Sequence, residues 1–267
     1  MTFCDIVVDA CPRSDLCRTL EQAQGMAEEF GANLSVVSYA WPPFSMTAAL
    51  APNALSVQEH TRALEDALDA ARSAFDKVFG ANPKGVEWCS GIGEPTEAMC
   101  DHLLAADLLI TSSAKADACV LPDPADLALR FGTPVLRLGR EPANGRFPSV
   151  LVAWKDCSPA RRALHGALPL LERAESVTVV GVGDEVSADR LDAVAGHLRH
   201  HKVKARHWHI SRSQEDVCAD LLAQAEREGA NLIVAGVYSH GPLTERVLGG
   251  VTREILKSTD MSWFLAH

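Results

Sequence analysis

The sequence predicts an α/β protein made of two tandem, doubly wound domains, each a five-stranded parallel sheet flanked by four helices. Three observations carry this expectation. Apolar, strand-like runs alternate with helical stretches along the whole chain. The order of these runs repeats once, halfway along. A stretch containing Gly139, Pro142, Asn144, Gly145 and Pro148 separates the two repeats. Apolar strands that alternate with helices imply parallel sheets covered on both faces. Right-handed crossovers then leave the doubly wound open sheet as the common arrangement.

The elements follow in order. An apolar run at residues 5–9 breaks at a polar turn and opens a helix over 15–30; its echo is the run at 149–153 with a helix over 159–174. Second strands lie at 33–38 and 176–181, followed by helices over 56–79 and 187–201. The segments 85–89 and 203–209 alternate polar and apolar residues, a period-two pattern that suits half-buried edge strands. Third helices are expected over 95–105 and 214–228, and fourth strands over 106–111 and 230–235. A last helix and strand close each repeat, at 123–130 and 134–138 in the first and at 244–257 and 262–265 in the second. The linker divides the chain into domains 1–140 and 147–267. A long first-repeat loop, residues 41–55, follows the second strand and reads as a lid or as plain surface.

Composition narrows the function classes. The chain has 267 residues, 47% hydrophobic and 22% charged, which is enough for a sizeable core without a metal or disulfide staple. The formal net charge is −10 and the basic residues are scattered, which argues against a nucleic-acid surface. No apolar run approaches the ~18 residues of a membrane span, and Met1 to Asp5 carry no basic leader. A cytoplasmic protein is expected. The eight cysteines form no Cys-x-x-Cys pair and read as reduced thiols, mostly in the core. Cys11 and Cys157, in corresponding loops, are the two to watch for reactivity. His197 and His201 share a helix face, and His207 and His209 share a strand face. No cysteine or carboxylate completes a metal spacing, so an exposed cluster is expected and no metal.

Chemistry is most legible after the fourth strand of the second repeat. Ligands of doubly wound sheets bind at the carboxyl ends of the strands, near the switch point. There the chain carries Gly236, Ser239, His240, Gly241, Gly249, Gly250 and Thr252. Glycines let backbone amides approach phosphate oxygens, and a helix N-terminus adds partial positive charge. Gly249-Gly250 equally suits close helix–strand packing or a tight turn. No Walker lysine, nucleophile elbow or His-Glu-x-x-His is present.

These residues resemble the universal stress protein family, which carries Gly-x2-Gly-x9-Gly-Ser/Thr at this place. Gly236, Ser239, Gly249 and Gly250 fall on that frame, with Ser239 in place of the second glycine and Gly250 in place of Ser/Thr. The resemblance spans the whole chain as a tandem pair and implies Rossmann-like domains of the adenine nucleotide alpha hydrolase-like type. It also implies an aspartate after the first strand that contacts the nucleotide. Asp156 matches by position, with Asp9 as its first-repeat counterpart; a helix cap explains either residue as well. After Thr111 the first repeat keeps no glycine frame, so no ATP-like site is expected there. Lys115 reads as a solvated lysine.

The resulting expectation is a non-catalytic, stress-response binding module. Its second domain would hold a weak or altered site for ATP or another adenine nucleotide with Mg²⁺. The rivals are an interaction protein that binds no nucleotide and a weak ATP hydrolase. Because last strands pair antiparallel between domains in the family, the resemblance implies an intramolecular pseudo-dimer, with a further homodimer left open.

Overall fold

The computed structural model describes residues 2–43, 57–80, 83–116, 119–140, 145–211, 216–237 and 260–267. The first half runs β1 (Asp5–Asp9), α1 (Leu16–Phe30), β2 (Asn33–Ala40), α2 (Val57–Phe79), β3 (Val86–Ile92), α3 (Pro95–Ala98), α4 (Cys100–Leu103), β4 (Leu108–Ser112), α5 (Pro124–Phe131) and β5 (Val135–Leu138). The second runs β6 (Ser149–Ala153), α6 (Ser158–Leu171), β7 (Ser176–Val182), α7 (Ala188–His200), β8 (Ala205–Ile210), α8 (Val217–Glu228), β9 (Leu232–Gly236) and β10 (Ser262–Ala266). The helix expected over 244–257 lies outside the described residues, as does all of the 41–55 loop beyond Pro43.

The ten strands form one sheet in the order β3-β2-β1-β4-β5-β10-β9-β6-β7-β8. Within each half every pairing is parallel, and the order 3-2-1-4-5 is doubly wound. The halves join through one antiparallel pair, with Trp263 opposite Arg137, Phe264 opposite Leu136 and Leu265 opposite Val135. The edge strands expected from period-two patterning are β3 and β8, at the two ends of the sheet and only partly buried.

Alternation along the inner strands divides the core. Ile6, Val8, Val150 and Val152 face a layer formed by α1, α2, α6 and α7. Val7, Leu109, Leu151 and Ile233 face the opposite layer, which includes α5 and α8. Each core layer spans both halves. Helix starts follow their sequence signals. Asp123 accepts hydrogen bonds from the Ala125 and Asp126 amides at 2.8 and 3.2 Å. Asp216 does the same for Cys218 and Ala219 at 2.6 and 3.2 Å.

Two expectations are corrected. The single helix over 95–105 is two short turns that meet at Met99. The cysteines are all free, but only Cys11, Cys119 and Cys218 are buried, with Cys4 exposed and the other four between.

Candidate functional site

The parallel registers equate the two halves residue by residue. Val8 lies beside Ile110, and Val152 lies beside Val234. Asp9 therefore corresponds to Ala153 and Thr111 to Ala235, while the loop that carries Arg13, residues 10–15, is two residues longer than its counterpart, residues 154–157. This corrects the pairing of Asp9 with Asp156: Asp9 ends β1, whereas Asp156 lies three residues beyond the end of β6.

The first-half crevice is filled by the chain itself. The turn after β1 carries Arg13 back over the end of the strand, where it forms a fully buried ion pair with Asp9. Thr111, near the end of β4, donates to Asp9 Oδ2 at 2.7 Å and accepts from Arg13 Nη1 at 3.3 Å. The Cys11 amide donates to Asp9 Oδ1 at 3.0 Å, and Arg13 Nε donates to the Cys11 carbonyl at 3.1 Å. Burial opposes the Arg13 charge, yet Asp9 holds its pKa above the ordinary value. Burial, and then Asp9, push the Cys11 thiol well up. Cys11 is therefore an inert core thiol, which corrects the expectation that it is reactive. Beside it, Ser112 Oγ and Arg18 both donate to Asp15 Oδ2 at 2.6 Å. Lys115 is exposed, as read from the sequence.

The second half has alanine at both strand positions, Ala153 and Ala235, and a shorter loop after β6. Gly236 ends β9 against the start of α6, where an added Cβ would lie 2.5 Å from the Ala160 nitrogen and 2.6 Å from the Pro159 carbonyl carbon. Packing alone thus requires glycine at 236. Among the described residues, no side chain caps the N-terminus of α6. Of the remaining loop residues, Ser239, His240, Gly241, Gly249, Gly250 and Thr252 lie outside the described residues.

Asp156 sits between two arginines. Arg190 Nε donates to Oδ2 at 2.7 Å, Arg161 Nη2 lies 3.7 Å from Oδ1, and Trp154 Nε1 donates to Oδ1 at 3.3 Å. The Arg190 hydrogen bond is the main reason its pKa falls below the usual carboxylate range. A groove of about 320 Å³ opens beside it between α6 and α7. Arg190 is the residue that sequence reading missed: it lies on the next helix, 34 positions away, and only the packing of α7 against α6 brings it here.

The other histidines do not gather into a ligand set. His207 Nδ1 lies 3.5 Å from Asp192, and His209 Nε2 contacts the Gly183 carbonyl at 3.0 Å. Among the described residues, no group of three or more His, Cys, Asp or Glu is arranged to hold a metal ion. No described helix is long and apolar enough to cross a membrane.

The arrangement defines a tandem, doubly wound α/β protein whose halves are joined edge to edge. Comparison with solved structures gives that fold its name: it is the fold of tandem universal stress proteins. A universal stress protein from Archaeoglobus fulgidus superposes with a TM-score of 0.71 at 15% identity, covering 97% of each chain. A Pseudomonas aeruginosa protein provisionally described as a universal stress protein matches at 0.62 and 14% identity, over 99% of this chain and 93% of its own. A functionally unknown protein from Pseudomonas aeruginosa PAO1 matches at 0.61 and 14% identity, over 99% and 92%. No family model and no curated protein matches the sequence.

Proposed function

We propose that the chain is a tandem universal stress protein that works as a binding module, and that only its second half, residues 147–267, takes an adenine nucleotide. The observation that supports this is the difference between the two crevices. Arg13, Asp9 and Thr111 fill the first with a closed polar cluster. The equivalent strand positions in the second are Ala153 and Ala235, beside the N-terminus of α6, where the side chain of the N-cap residue Cys157 makes no capping hydrogen bond. A helix N-terminus of this kind favours phosphate oxygens. In this reading the amides of the loop carrying Gly236, Ser239, His240, Gly241, Gly249, Gly250 and Thr252 meet the phosphates. Asp156 meets the base or ribose, and Mg²⁺ enters with the nucleotide. The sequence carries no Walker lysine, nucleophile elbow or His-Glu-x-x-His, so binding rather than turnover is expected.

Two observations favour the rival interaction module: packing accounts for Gly236, and arginines already hold Asp156. Thermal stability with millimolar ATP, ADP or AMP plus Mg²⁺ separates the two readings. A ligand at ~100 times its dissociation constant adds ~2.7 kcal/mol and raises the melting temperature by several degrees. The shift should vanish in a folded Gly249→Asp variant. The absence of a shift with any nucleotide favours the interaction module, and sustained Mg²⁺-dependent turnover favours the hydrolase.

A further inference from the structure

The groove between α6 and α7 has a chemistry of its own. Its mouth is formed by Arg161 from α6 and Arg190 from α7, which converge on Asp156 from opposite sides. Two cations against one carboxylate leave an excess positive charge, on a chain whose net charge is −10. Both arginine side chains are about half exposed, at 52% and 60%, and each guanidinium has more donors than Asp156 can take. Leu164, Val194 and the largely buried Trp154 ring supply an apolar wall.

The far end is lined by His165 and His197, with ring centroids 5.4 Å apart. His201 meets His197 edge to face, with ring centroids 4.8 Å apart. His197 Nε2 is enclosed and has no hydrogen-bond partner. An enclosed imidazole nitrogen without a partner is costly. The volume, about 320 Å³, is at the small end of the range for small-molecule sites.

We infer that this groove is a second binding site, for a small organic oxyanion carried on a flat apolar body. The anionic group bridges Arg161 and Arg190, and the apolar body lies along Leu164 and Val194 towards the His165 and His197 rings. Arginine suits this task because its planar fork matches carboxylate and phosphate oxygens alike. Asp156 competes with the ligand for the same two guanidinium groups. The site makes no use of the glycine loop, although it shares Asp156 with the proposed nucleotide site.

The test is calorimetric titration of the full chain with phenyl phosphate, benzoate and uncharged phenol. Saturable millimolar or tighter binding of at least one anion is expected, with phenol at least tenfold weaker. The tighter of the two anions identifies the ligand as a phosphate monoester or a carboxylate. Arg161→Gln and Arg190→Gln, each confirmed folded by circular dichroism, should each weaken binding about tenfold. Asp156→Asn should strengthen it by removing the competing carboxylate. Gly249→Asp, which disables the proposed nucleotide loop, should leave it unchanged. The inference is overturned by no saturable binding of either anion, by affinities that ignore both arginines, or by loss of binding in Gly249→Asp, which would put the anion on the loop instead.

Discussion

Arg13 and Asp9 are both almost wholly buried as side chains, so removing either leaves an opposite charge stranded in a low dielectric. Breaking such a pair costs about 3–5 kcal/mol, whereas replacing both partners with apolar residues is often neutral or stabilising. Arg13→Met should therefore lower the stability seen in urea unfolding by roughly that amount, and Arg13→Met with Asp9→Leu should recover most of it. A double variant as weak as the single one would mean that Thr111 and the Cys11 turn, not charge pairing, set the cost. His197 gives a second prediction. Burial, then the charges of His201, His165 and His200, hold its pKa below the ordinary histidine value of 6.5. The unfolded chain then binds the proton more readily than the folded one, so this contribution to stability is complete above pH 6.5 and is lost as pH falls towards the depressed folded value. The groups around it are His165 and Arg161 on α6, Arg190 and His200 on α7, His201 just beyond the end of α7, and Glu172, which lies 4.0 Å from His201. Thermal melts from pH 7.5 to 5.5 should show a decline that is shallower in His197→Gln; equal slopes would assign the decline to other groups.

Gly236 shows how one glycine serves an element. Alanine there would press on the first turn of α6, whose backbone lies 2.5 Å from the position of the new methyl group. Backbone has little room to yield, so Gly236→Ala should cost about 1–3 kcal/mol, read as a lower denaturation midpoint even with no nucleotide present. An unchanged midpoint would free Gly236 for a ligand role alone. The strands were legible because both faces of a parallel sheet are buried and each run is apolar throughout, as in Leu232–Gly236. Edge strands declared themselves through alternation, as in Ala205–Ile210. The loops after β1 and β6 were not legible in this way. A repeat found by strand pattern fixes neither the turn length nor which loop residue folds back, so Asp9 and Asp156 looked equivalent until the register set Asp9 against Ala153. Arg190 escaped for a related reason, since nothing local marks an α7 residue as the partner of a carboxylate after β6.

The whole molecule is held as one body by its central strands. Trp263 and Phe264 are fully buried in β10, and the antiparallel β5–β10 pair carries the sheet across the junction. Gly139, just past β5, comes so close to the Asp260 carbonyl that a Cβ would overlap it. Its amide donates to Ser262 Oγ at 3.0 Å. Glu29 on α1 reaches across to Arg146 at 3.1 Å and to Arg173 at 3.6 Å, while Arg173 also lies over the Phe30 ring. A pseudo-dimer built this way should unfold in one transition by circular dichroism and by tryptophan fluorescence alike. Trp263→Ala, which removes about 3–5 kcal/mol of core packing, should lower the stability of both halves together. Two separate transitions in the unaltered chain would mean that the halves are energetically independent.

Arg13 fills the first crevice, and the proposed function leaves the second for a ligand. The most direct measurement is the stoichiometry of ATP binding to the full chain by calorimetry in the presence of Mg²⁺. The account predicts a single equivalent, abolished by Gly249→Asp and retained in the Arg13→Met, Asp9→Leu double variant. Two equivalents, or one that survives Gly249→Asp, would contradict it.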